Sequence, residues 1–260
     1  MIKEVVLLGA GRVAHHLGKE LKGQGIEIVQ VYSRTESKAA KLATLLESTY
    51  TIELKTVVPS AALYILAISD DAIAKVAADL HRVLSPNQLI VHTSGATAST
   101  ALGTHFQRFG VFYPLQSFSF EQEPDFSTIP ICIFANQEDD QSTLLQLAQK
   151  LSSKTAIIDD SQRSILHVCA VFVNNFVNHL YRIGYDISKQ HQVPFDFLFP
   201  LMQESLKKAQ LHPPADVQTG PAIRGDHGTM AKHLALLADH PAYAAIYQLI
   251  SMNIQELSDN

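Results

Sequence analysis

The sequence predicts an α/β protein in two parts, an N-terminal doubly wound, mostly parallel sheet and an all-α C-terminal half. Three observations carry this prediction. Continuous apolar runs suited to buried strands alternate with helix-period segments as far as residue 160. The first run feeds the turn Gly9-Ala10-Gly11-Arg12-Val13-Ala14, which opens an amphipathic helix. From Ser161 onward only helical spacing remains. The expected division is therefore 1–160 and 161–260.

The alternation runs as follows. A strand over 4–9 and a helix over 12–23 are followed by a strand over 26–32 and a helix over 36–47. A weak strand near 50–54 precedes the apolar run 63–68, a helix over 71–84 and a short strand over 89–92. Strands over 109–112 and 129–134, a helix over 139–151 and a strand over 155–158 complete this half. Ser161 to His191 then carries apolar residues at helical intervals with no proline, which at ~1.5 Å per residue is a helix of roughly 45 Å. Helices over 195–210, 227–237 and 241–257 finish the chain. A helix so long and apolar exceeds what its own small domain needs, so a homodimer packed through 161–191 is expected.

Composition narrows the function classes. The chain has 260 residues, 47% hydrophobic and 17% charged, with net charge −5. It has no block of Lys and Arg, which argues against nucleic acid or an anionic membrane as partner. No apolar stretch reaches the eighteen or so residues of a membrane span, and the first residues are strand-like rather than a signal peptide. Cys132 and Cys169 lie in apolar stretches without metal-ligand spacing. They read as buried free thiols in a reducing, cytoplasmic setting. The histidines are scattered and no metal site is expected; His15-His16, His227 and His233 read as surface or capping residues.

The glycine turn points to a dinucleotide. Gly9 suits the tight turn, Gly11 admits a pyrophosphate close to the backbone, and Ala14 lets helix and strand pack. The helix start directs its N–H groups and positive dipole end at the phosphates. The second strand ends in Ser33-Arg34-Thr35. An NAD site usually carries an acidic residue about 20 positions on; here a guanidinium flanked by hydroxyls stands instead, which favours NADP. Ser33 is equally suited to cap the following helix.

Three loops at strand ends should face the nicotinamide. Ser69-Asp70-Asp71 either caps a helix or lines the cofactor. His92-Thr93-Ser94-Gly95-Ala96 is small enough for close approach, and Tyr113-Pro-Leu-Gln116-Ser-Phe118 gathers a phenol, an amide and a hydroxyl. On the long helix His167, Asn174 and Asn178 share a face within the apolar pattern, for substrate, another subunit or water. The loop Thr219–His227 places Arg224, Asp226 and His227 within four positions, as a site wall or as a turn with Asp226 capping the next helix.

These motifs, in this order, resemble the Rossmann-like NADP oxidoreductases with a helical C-terminal domain of formerly unknown function (DUF2520). The resemblance spans essentially the whole chain, and Thr219-Gly-Pro-Ala-Ile-Arg-Gly-Asp226 is its most specific mark. More distantly the layout is similar to pyrroline-5-carboxylate reductase, ketopantoate reductase and the 6-phosphogluconate dehydrogenases. The resemblance implies a helical domain that closes over the nicotinamide and builds a dimer. Two departures stand out: Tyr113 replaces a usual His, and the helix lacks the Lys one turn before an Asn that serves the β-hydroxyacid branch. Tyr113, His167, Asp226 and His227 remain as proton-donor candidates.

The expected function is hydride transfer between NADP(H) and a small carbonyl or imine. Gly9 to Ala14, Ser33 to Thr35, Ser69, Asp70 and Thr93 are expected at the cofactor. Ser94, Tyr113, His167, Asn174, Arg224 and Asp226 are expected at the reaction. The alternative, prompted by the missing Lys, is an NADP(H)-binding sensor or scaffold without turnover.

Overall fold

The computed structural model describes residues 2–258. Its chain forms two compact units, the first ending at Asn174 and the second beginning at Asn175.

The first unit is built on one eight-stranded sheet with order β3-β2-β1-β4-β5-β6-β7-β8. The strands are β1 (Glu4–Leu8), β2 (Glu27–Tyr32), β3 (Thr49–Thr51), β4 (Leu63–Leu66), β5 (Leu89–His92), β6 (Arg108–Pro114), β7 (Ile131–Ala135) and β8 (Thr155–Ile157). Helices α1 (Arg12–Gly23), α2 (Glu36–Leu46), α3 (Ile73–Leu80), the single turn α4 (Thr100–Gly103) and α5 (Glu138–Leu151) lie between them. Pairing is parallel from β3 through β6, antiparallel between β6 and β7, and parallel again to β8. No α-helix separates β6 from β7, and an antiparallel pair needs no helical crossover.

Burial follows from the strand period of two. Val5 and Leu7 enter one apolar cluster with Leu17 and Leu144, while Val6 and Leu8 enter a second with Ile73 and Leu80. Both faces of β1 and β4 are therefore dry, which is why these strands read as unbroken apolar runs. The strand order reverses between β1 and β4, and ligands of such sheets bind beyond the carboxyl ends at this switch point.

From Asp160 the chain is helical as far as Gln190. Helix α6 (Asp160–Ala170) passes into a π-helical stretch, Val171–Phe176, and then α7 (Val177–Gln190). The division between the units falls inside this π stretch rather than at the start of the helix. The wide turn also breaks the α-register that would align His167 with Asn174 and Asn178 on one face.

The second unit adds α8 (Phe199–Leu211), α9 (His227–Leu236) and α10 (Pro241–Ser258). Tyr243 Oη donates to Asp186, which also pairs with Arg182, tying α10 to α7. His233 Nδ1 and Tyr247 Oη, 2.9 Å apart, tie α9 to α10. Cys132 is buried as expected, but Cys169 is exposed, because α6 turns it away from the sheet. Among the described residues no helix is long and apolar enough to cross a membrane.

Candidate functional site

The dinucleotide turn has the geometry its sequence calls for. Gly9 adopts φ +124°, and a Cβ there would lie 2.0 Å from the Ala67 carbonyl oxygen. Only glycine lets the turn seat against β4 in this way. At Gly11 the opposite holds, since an added Cβ would meet nothing within 4 Å. The backbone there faces open space, as the approach of a phosphate requires. Helix α1 has Gly11 as its N-cap, with no side-chain cap and no acidic residue in its first turn. An uncapped N-terminus with exposed Gly11 and Arg12 fits an anion. Ala10 and Val13 pack against the core, and Ala14 is fully buried against it.

At the end of β2, Arg34 and Thr35 are exposed and Ser33 is half-buried. Thr35, not Ser33, is the N-cap of α2, and Ser33 Oγ instead accepts from the Thr35 N–H at 3.2 Å. That bond closes a small turn which projects the guanidinium outward, without an acidic side chain on the strand end. After β4, Ser69 and Asp70 are exposed; Asp70 begins a short 3₁₀ turn that precedes α3, with no side-chain cap.

The loop after β5 is tightly ordered. Ser94 Oγ accepts from the Ala96 and Thr97 N–H groups and donates to Thr97 Oγ1 at 3.0 Å. Its hydroxyl is thus engaged in holding the loop. The Ser94 N–H donates to His92 Nδ1 at 3.2 Å, so His92 carries its proton on Nε2. Burial, then the nearby Arg163 guanidinium, lower the His92 pKa to about 4. The Thr93 N–H and hydroxyl both donate to the Leu66 carbonyl, which joins this loop to β4.

At the carboxyl ends of β5 and β6 the phenol of Tyr113 meets the imidazole of His167 on α6. Tyr113 Oη and His167 Nδ1 are 3.2 Å apart. Gly95 lies against both, and a Cβ on it would come within 2.5 Å of His167 Nδ1 and 2.9 Å of Tyr113 Cζ. The small loop therefore exists to let these two rings meet. Burial raises the Tyr113 pKa, the neighbouring Cys132 adds to the rise, and Arg163 opposes it. The phenol is consequently protonated at neutral pH.

Below this pair sits a residue that the sequence patterns did not single out. Arg163 is 1% exposed; its Nη2 donates to the Thr97 carbonyl, and its Nη1 lies 2.8 Å from Asp160 Oδ1. The Nη1 contact is close but poorly aligned as a hydrogen bond. Asp160 Oδ2 accepts from the Ser99 N–H and hydroxyl. Burial pushes the Asp160 carboxyl up, but the adjacent Arg163 guanidinium and the Ser99 hydrogen bonds together hold it below the usual range. Asp160, Arg163 and His167 follow one another at helical spacing, the signal that could have found them.

Asn174, on the π stretch, is exposed at the end of the first unit. Arg224 and Asp226 belong to the second unit. Arg224 is exposed, while Asp226 Oδ1 accepts from the Thr229 N–H at 3.0 Å as the N-cap of α9. That bond, with the Thr229 side chain, holds the Asp226 pKa below its ordinary value.

Comparison with known proteins places the chain. Residues 4–95 match the family model described as NADP oxidoreductase coenzyme F420-dependent, and residues 129–254 match a domain of unknown function, DUF2520. A crystal structure from Bacteroides fragilis, described as a "putative NADP oxidoreductase", is 40% identical over 98% of each chain, with TM-score 0.93. A reductive aminase from Aspergillus terreus in complex with NADPH and ethyl levulinate is 14% identical, covering 98% of this chain and 95% of its own, with TM-score 0.72. An imine reductase from Myxococcus stipitatus in complex with NADP+ is 16% identical, covering 97% and 93%, with TM-score 0.67. The last two share the fold. No curated protein matches the sequence. The chain belongs to the family of NADP oxidoreductases that joins a Rossmann-like N-terminal domain to a helical DUF2520 region.

Proposed function

We propose that this protein is an NADP(H)-dependent reductase of a small carbonyl or imine, with Tyr113 as proton donor. The observation that carries the reading is the Tyr113–His167 pair at the Gly95 loop, on a sheet whose first turn is built for a dinucleotide. NADPH, when bound, supplies the hydride that reduces the C=O or C=N carbon. Tyr113 Oη gives its proton to the oxygen or nitrogen, and His167 Nδ1 returns one to the phenolate. The raised phenol pKa keeps that proton in place until negative charge develops on the substrate. The turn over Gly9–Ala14 binds the pyrophosphate and Ser33-Arg34-Thr35 the 2′-phosphate. Ser69, Asp70 and Thr93 line the cofactor, Ser94 shapes the loop, and Asn174 orients substrate. Arg224 pairs a substrate carboxylate, and Asp226 holds that loop in place.

Purified protein titrated with NADPH and NADH should prefer NADPH, and Arg34→Asp should reverse that preference. NADPH oxidation is then followed on panels of keto acids and cyclic imines. Tyr113→Phe should lower kcat about 10²-fold with NADPH affinity intact. Arg224→Ala should raise KM for keto acids alone. Binding of NADPH without turnover on either panel would overturn the enzyme reading and favour a sensor. Binding of neither dinucleotide would remove both.

We also propose a homodimer through the helical run 161–191. Its support is the apolar surface left bare there, including Ile165, Val168 and Val173. A cytoplasmic location fits the two free thiols.

A further inference from the structure

Helix α1 presents Arg12, His15, His16 and Lys19 on one face, three, four and seven positions apart. All four meet the single segment Phe118–Glu123, which follows Tyr113 in the chain. The Arg12 guanidinium lies 5.9 Å from the centroid of the Phe120 ring. His15 packs edge-on to the same ring at 5.4 Å. His16, almost fully buried, places Nε2 2.5 Å from the Ser119 carbonyl and stacks on Phe118, which stacks in turn on Phe126. Lys19 pairs with Glu123.

This corner also gathers donor atoms of His15, His16 and Glu123 within 4.8 Å of one another. The Lys19 ammonium already sits on the Glu123 carboxylate, so a metal ion there would face a fixed positive charge. The group therefore serves as an anchor for the segment. What remains unexplained is Phe120, an aromatic side chain left 53% exposed at the tip of a well-anchored loop.

We propose that Phe118–Glu123 is a strap that pre-positions Arg12 for the pyrophosphate of the dinucleotide, with Phe120 as the positioning residue. Arg12 is the first residue of α1, directly after the open face of Gly11. A long flexible cation loses much rotamer freedom when it grips a ligand. An aromatic ring already holding the guanidinium removes part of that loss before the cofactor arrives. The strap also connects the strand that carries Tyr113 with the helix that receives the phosphates, so the two ends of the site are built as one piece.

The inference rests on the dinucleotide reading above, and its test separates the two. NADPH affinity is measured by fluorescence titration for wild type, Arg12→Ala, Phe120→Leu, Phe120→Tyr and the Arg12→Ala/Phe120→Leu double variant, with melting curves for each. Arg12→Ala should weaken binding about tenfold. Phe120→Leu should weaken it about threefold, while Phe120→Tyr, which keeps the ring, should match wild type. The double variant should be no weaker than Arg12→Ala alone, because Phe120 acts only through Arg12. Wild-type affinity in Phe120→Leu or in Arg12→Ala, or losses that multiply in the double variant, would overturn the strap while leaving the cofactor reading intact. Absence of NADPH binding by the wild type would overturn the cofactor reading itself.

Discussion

Arg163 shows how much of this site depends on one buried charge. A guanidinium removed from water costs several kcal/mol unless it is compensated, and here the Thr97 carbonyl accepts from Nη2 while the Asp160 carboxylate lies 2.8 Å from Nη1 as its counter-ion. Removing the cation leaves the Asp160 carboxylate with the Ser99 hydrogen bonds alone and the 93–99 loop without its brace. Arg163→Met should therefore destabilise the fold by about 3 kcal/mol, read by urea denaturation. His92 makes a complementary prediction. Its imidazole titrates near 4 in the fold against 6.5 when free, so the folded state binds fewer protons than the unfolded one in that interval. Stability from this residue is full above pH 6.5 and falls as pH drops toward 4, by about 3 kcal/mol. Urea midpoints measured across that range should fall for wild type and flatten for His92→Asn. An unchanged slope would assign the acid sensitivity to other groups.

At the scale of elements, two features convert an ordinary α/β pattern into a site. The loop Thr93–Ala96 contains a glycine where any side chain would push Tyr113 and His167 apart. Gly95→Ala should leave the melting temperature within a few degrees, because rings at the loop surface can move. Turnover in the proposed reaction should fall at least tenfold, because a proton relay depends steeply on distance. The π-helical stretch Val171–Phe176 is the second feature. Wide turns of this kind cost hydrogen-bond geometry and occur mostly where function requires them. Uniform α-periodicity predicts a single helix from Ser161 to His191, and the actual helical run, Asp160 to Gln190, is equally long. The extra width was not legible, because apolar spacing over one turn does not distinguish four residues from five. The α-helical count that put His167 and Asn174 on one face does not run unbroken through this turn.

At the scale of the whole molecule, the two units differ sharply in what they bury. The first has two dry clusters on either side of its sheet. The second leaves Leu201, Leu206, Leu211, Leu236 and Leu249 largely exposed. Apolar surface on this scale is uncommon on a protein that works alone. Equilibrium sedimentation should find a dimer at micromolar concentration. Val173→Lys, placed at a side chain 74% exposed, should shift it toward monomer, and an unchanged dimer would locate the interface elsewhere.

Sequence periodicity was sufficient for the alternation of strands and helices, the dinucleotide turn and the all-helical second half. These are local properties, written in apolar spacing and in Gly9, whose left-handed backbone other residues rarely adopt. The missing acidic residue after β2 and the missing lysine on the long helix were equally plain, since each is a residue type at a counted position. Tertiary structure alone decided which polar groups meet. Tyr113 and His167 are 54 positions apart and touch because β6 and α6 converge on Gly95. Arg163 is buried because the 93–99 loop folds over it, and Glu123 reaches Lys19 across 104 positions. Such meetings depend on the packing of elements, and no periodicity along the chain records how those elements approach one another.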